Sequence, residues 1–91
     1  MHPPESVPRL AAGCRVSMAA GEQPMLLMPE GALRLIGTSL KIVELCDGQR
    51  TLAEIIRQLQ QQFPAVDPAK IATETVTFLE RLHEKRVLNF A

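Results

Sequence analysis

The sequence predicts an α+β domain in which a small three-stranded antiparallel sheet is followed by three helices packed on one of its faces. Three observations carry that reading. Met25 to Leu35 forms two short apolar runs around Pro29-Glu30-Gly31, a tight-turn sequence. Thr51-Leu52-Ala53-Glu54 is a capping box, which opens a helix. Asp67-Pro68 sets proline at a first helical position behind an acidic N-cap.

Each element follows from its neighbours along the chain. Residues 1–14 are expected to form a flexible N-terminal tail, because the first eight hold three of the seven prolines, and residues 15–91 to form the folded domain. Arg15-Val16-Ser17-Met18 alternates polar and apolar side chains and gives a first strand. Ala19 to Pro24 reads as a loop. Met25 to Met28 gives the second strand and Ala32 to Ile36 the third, with Leu33 and Leu35 on one face and Arg34 and Ile36 on the other. Gly37 breaks that strand, and Thr38 and Ser39 are the N-cap candidates for a helix through Leu40, Ile42, Val43, Leu45 and Cys46. Asp47-Gly48 stops it, with Gly48 free to take a left-handed conformation. Leu52, Ile55, Ile56, Leu59 and Phe63 set the core stripe of the second helix, which Pro64 closes. The third helix carries Ile71, Thr75, Phe78, Leu79 and Leu82 on its stripe, and Val87 to Phe90 reads as a short extension or strand.

Composition narrows the function. Ninety-one residues make one domain with a modest core. With three Phe and no Trp or Tyr, that core is aliphatic. Ten basic residues balance ten acidic ones, which argues against a nucleic-acid partner, since phosphate neutralisation asks for a basic excess. No apolar run approaches the roughly 20 residues that span a bilayer, no signal peptide is visible, and a cytoplasmic location is expected. Cys14 and Cys46 have no metal-ligand spacing and are expected to be thiols. No nucleophile–base pair, phosphate-cradling loop or ligand cluster stands out, so neither an enzyme nor a cofactor or metal is expected. The third strand, followed by helices, lies at a sheet edge, and a free edge accepts another extended chain.

Leu26-Leu27 before Pro29-Glu30-Gly31, then Leu33-Arg34-Leu35, Ser39, Ile42, Leu45-Cys46-Asp47-Gly48 and Thr51, resemble the signature of the pyrroloquinoline quinone (PQQ) biosynthesis protein D family, PqqD. The resemblance implies a small, non-enzymatic peptide chaperone with a winged-helix-like fold. It would bind the ribosomal precursor peptide, protein A of the pathway, and present it to the radical S-adenosylmethionine enzyme, protein E. In related domains the peptide adds to the third strand and packs against the third helix. Two departures flank that strand: Met28 where the family favours an aromatic residue, and Ile36-Gly37 where it has Asn after the closing leucine.

On this basis the expected peptide-binding residues are Leu33, Arg34, Leu35, Ile36 and Gly37 on the edge, with Ala72, Val76, Leu79 and His83 as a mild apolar shoulder of the third helix. Arg34 suits an acidic peptide residue, or simply serves as an edge charge against aggregation. Leu35→Pro is expected to remove an edge donor. The competing expectation is a winged-helix DNA-binding module using Arg57, Gln58, Gln60, Gln61 and Gln62 of the second helix. Free edges would also let two copies pair as a homodimer.

Overall fold

The computed structural model describes residues 3–18 and 23–91. Its elements run β1 (Pro8–Leu10), β2 (Arg15–Ser17), β3 (Met25–Met28), β4 (Gly31–Arg34), α1 (Ser39–Leu45), α2 (Leu52–Gln62), α3 (Pro68–Glu84) and β5 (Leu88–Phe90). The three-stranded antiparallel sheet has the order β2-β3-β4, and the three helices follow it as expected. Most of the loop expected at Ala19 to Pro24 lies outside the described residues.

Period-two alternation sets the inner face of this sheet. Val16, Leu26 and Leu33 stand directly across from one another on β2, β3 and β4. Leu26 is fully buried, and Leu35, just past β4, is 1% exposed. They meet Ile42, Val43, Leu52, Ile55, Leu59, Ile71, Leu79 and Leu82 from the helices. Each such aliphatic side chain stabilises the fold by about 1.5–3 kcal/mol relative to exposure. Phe63, Phe78 and Phe90 pack on the margin of this core, so its centre is indeed aliphatic.

A second, two-stranded sheet departs from expectation. Residues 1–14 are not all a tail, because β1 pairs with β5 in the register Pro8↔Phe90, Arg9↔Asn89, Leu10↔Leu88. Val7 exchanges both backbone bonds with Ala91, and the Ala11 N–H donates to Val87 O at 2.8 Å. The arm ahead of β1 then closes the start of α2. Leu52 N–H donates to Ser6 O at 2.7 Å and Ala53 N–H to Pro4 O at 3.0 Å. Thr51 Oγ1 accepts from Glu54 N–H, and Glu54 Oε1 accepts from Thr51 N–H, completing the capping box. All the first-turn donors that a helix leaves without internal partners are therefore satisfied here.

The other ends obey simpler rules. Asp67 caps α3 by accepting from Ala69 N–H, with Pro68 at the first position. Thr38 occupies the N-cap of α1 but makes no side-chain cap bond. Gly48, three residues past the end of α1, takes φ +77°, and a Cβ there would stand 3.4 Å from Arg9. Its N–H donates to Pro8 O, so the chain reverses tightly against β1. Cys14 and Cys46 are free thiols. Burial, and then the Asp47 charge, push Cys46 up to about 12.

Thr51→Ala should cost about 1 kcal/mol in a urea melt, the usual value of an N-cap. The Thr51 backbone N–H, followed by the Thr51 hydroxyl, holds the Glu54 carboxyl below its ordinary value. On acidification the unfolded chain therefore takes up this proton first. Stability should fall as pH drops from the ordinary carboxylate value towards the lowered one, and Glu54→Gln should flatten that part of the curve in melts recorded across pH.

Candidate peptide-binding edge

The outer edge of β4 has no strand beside it among the described residues. Which of its backbone groups are free follows from one hydrogen bond. Leu35 N–H donates to Pro24 O at 2.9 Å, and the register pairs Leu33 with Leu26 and Gly31 with Met28. In an antiparallel ladder hydrogen-bonded and non-bonded pairs alternate. Leu33 and Leu35 thus turn their N–H groups towards β3, whereas Ala32 and Arg34 turn N–H and C=O outward. Gln23 Nε2 also donates to Leu35 O at 2.8 Å.

Side chains divide along the same alternation. Arg34 and Ile36 are exposed on the outer face, Ile36 at 62%. Leu33 is half-buried on the inner face, and Gly37, at φ +61°, turns the chain towards α1. Leu35 lies in the core, so a proline there would break the inner ladder and the packing, not an edge donor. Arg34 is the position at which proline removes an outward N–H.

The shoulder expected on α3 is not brought to this edge. At about 100° per residue, Ala72, Val76 and His83 lie on one side of the buried stripe Ile71-Thr75-Leu82, and Glu74, Phe78 and Lys85 on the other. Ala72 and Val76 share an apolar depression with Pro4, Leu52 and Ile56, against α2 and the N-terminal arm. His83 Nδ1 stands 3.0 Å from Leu88 O, and its ring packs edge-on to Phe90, which ties α3 to β5. Leu79, at 1% exposure, is part of the core and cannot touch a ligand.

The opposite flank of α3 is the one that runs towards β4. Lys85 lines a depression with Met28, Glu30, Ala32 and Leu33. One helical stretch back, Lys70 and Glu74 line another with Thr38 and Ile42, just beyond β4. Phe78 lies between these ends, half-buried. Lys70 and Glu74 form an exposed ion pair at 3.9 Å. Glu74, Phe78 and Lys85 recur at four- and seven-residue steps, but the sequence places Phe78 on the core stripe and does not group the three as one flank.

Among the described residues, no group of three or more His, Cys, Asp or Glu could hold a metal ion. Nor is any described helix long and apolar enough to cross a membrane. What the edge offers is a short row of backbone donors and acceptors beside a helix flank.

Residues 25–88 match the family described as coenzyme PQQ synthesis protein D (PqqD). The chain belongs to that family. A "PqqA binding protein" of Xanthomonas axonopodis pv. citri is 36% identical over 85 residues, covering 92% of this chain and 91% of that one. A protein of the same name from Pseudomonas paraeruginosa is 36% identical over 80 residues, covering 87% and 85%. Among solved structures, the PqqD truncation of Methylobacterium extorquens PqqCD is similar at a TM-score of 0.73 and 33% identity, covering 91% of this chain and 88% of that one. It is described as a functional, stand-alone recognition element for ribosomally synthesized and post-translationally modified peptides. The heterocyclase TruD shares the fold, at a TM-score of 0.63 and 24% identity, over 94% of this chain and 12% of its own. Of the two departures from the family pattern, Met28 lies half-buried on the inner face beside Lys85, and Ile36 lies exposed on the outer face.

Amide hydrogen exchange on the free protein tests the phase of β4. The Ala32 and Arg34 amides should exchange much faster than those of Leu33 and Leu35; equal protection at all four would show the edge to be covered.

Proposed function

We propose that this chain is a peptide-binding element of PQQ biosynthesis that captures the precursor peptide PqqA as an added strand on β4. The observation that carries the proposal is the outward-facing backbone of Ala32 and Arg34, with Lys85 at the end of α3 beside Ala32 and Leu33. Main-chain bonds along such an edge give affinity, and contacts on alternate side chains give selectivity. The relatives' name as PqqA binding proteins and the recognition-element description of the similar structure support the same ligand. The bound peptide is then held for the radical S-adenosylmethionine enzyme of the pathway, PqqE, in the cytoplasm. Binding and presentation, without catalysis, is the whole role proposed.

A DNA-binding role has less support. The Gln60 side chain donates to Pro68 O at 3.0 Å, and the chain carries no net charge. Pairing of two β4 edges would occupy the groups that the peptide needs, so a homodimer formed that way competes with the peptide.

An NMR titration with PqqA peptide should shift residues 31–37 together with Glu74, Phe78 and Lys85, and leave Ala72 and Val76 nearly unmoved. Arg34→Pro should weaken binding by tenfold or more, whereas Arg34→Ala, which keeps the N–H, should cost at most about fivefold, the scale of an exposed ion pair. Shifts confined to α2, or equal affinities for the two variants, would remove strand addition as the mechanism.

A further inference from the structure

The turn between β3 and β4 sits over the C-terminal end of α3. Two depressions there share Met28, Glu30 and Lys85; Ala32 and Leu33 help line one, and Arg86 the other. Two cations, Lys85 and Arg86, therefore border this corner against one carboxylate, Glu30. All three side chains are exposed.

Arg86 holds an unexpected conformation. α3 ends in a Schellman motif, with Arg86 N–H donating to His83 O and Val87 N–H to Leu82 O, each at 3.0 Å. The left-handed position in this motif is usually glycine, because a Cβ is disfavoured there. Arg86 takes it at φ +62°, the only non-glycine residue with positive φ among the described residues. Complementing the helix dipole does not account for the choice, since Arg81 and His83 already place basic groups in the last turn.

A strand added to β4 would have residues directly opposite Gly31 and Leu33 pointing to the same inner side as those residues. The first would face the Lys85–Arg86 corner. The second would face the half-buried Leu33. We propose that Lys85 and Arg86 are specificity-determining residues that read a carboxylate side chain of the bound strand, two positions from an apolar residue seated at Leu33. The recognised segment is therefore an extended acidic–x–apolar peptide, in either chain direction. This inference rests on strand addition at β4.

The test is a fluorescence-anisotropy titration of the full chain with labelled PqqA peptide and with a panel in which each Asp or Glu is replaced singly by Asn or Gln. One replacement should weaken binding about fivefold, the scale of a partly exposed charge pair. The Lys85→Gln/Arg86→Gln double variant should bind the parent peptide about as weakly, be indifferent to that replacement, and lose less affinity as salt rises. Arg86→Gly should raise the unfolding midpoint while lowering affinity for the parent peptide. If no replacement changes affinity by more than about 1.5-fold, or the double variant suffers the same loss as the parent protein, the carboxylate assignment is wrong. The Arg34→Pro variant separates the two claims. Binding that survives it overturns strand addition and the register with it; binding that it destroys, with no charge effect at Lys85 and Arg86, overturns the carboxylate assignment alone.

Discussion

The burial of Leu35 fixes the phase on which the rest of the site depends. Its side chain is locked among the helices, and its N–H is committed to Pro24 O. A shift of one residue would turn Arg34 into the core and Leu35 into water, which the packing does not allow. With that register set, the backbone at Ala32 and Arg34 has to face away from the sheet. The open edge is thus a by-product of core packing, and it is as rigidly specified as the core itself.

Behind the edge, the helices are held by contacts that are distant in sequence. The arm ahead of β1 satisfies the first donors of α2, and β1 itself pairs with β5 at the other end of the chain. β5 in turn continues directly from the end of α3. The position of α3 relative to the sheet is therefore fixed from both ends: through Asp67 and Pro68 at its start, and through β5 and β1 at its finish. The depression that Lys85 lines with Ala32 and Leu33 inherits that rigidity.

How much of this could be read in the sequence depended on how local the cause was. Thr51/Glu54 and Asp67/Pro68 announce their helices because a cap acts within four residues. The β3–β4 turn was equally legible. By contrast, the β1–β5 pairing joins segments some eighty residues apart (Pro8 with Phe90), and nothing local in Pro8–Leu10 announces its distant partner. The α3 flank was misplaced for another reason. Periodicity puts Phe78 on the buried stripe and Ala72 and Val76 on its shoulder, but it does not say which side of that stripe faces β4. Leu79 sits on the boundary between stripe and shoulder, and burial resolved it to the core.

The β4 strand is only four residues long, bounded by the Pro29-Glu30 turn and by Gly37. A guest strand can therefore form only about four main-chain bonds, each worth about 0.5–1.5 kcal/mol net, before the ordering cost of the guest is subtracted. Main-chain bonds alone thus give modest affinity, and most of the difference between guests falls on their rates of departure. For a peptide held this way, release on the timescale of its own dissociation would need no motor, nucleotide or conformational trigger.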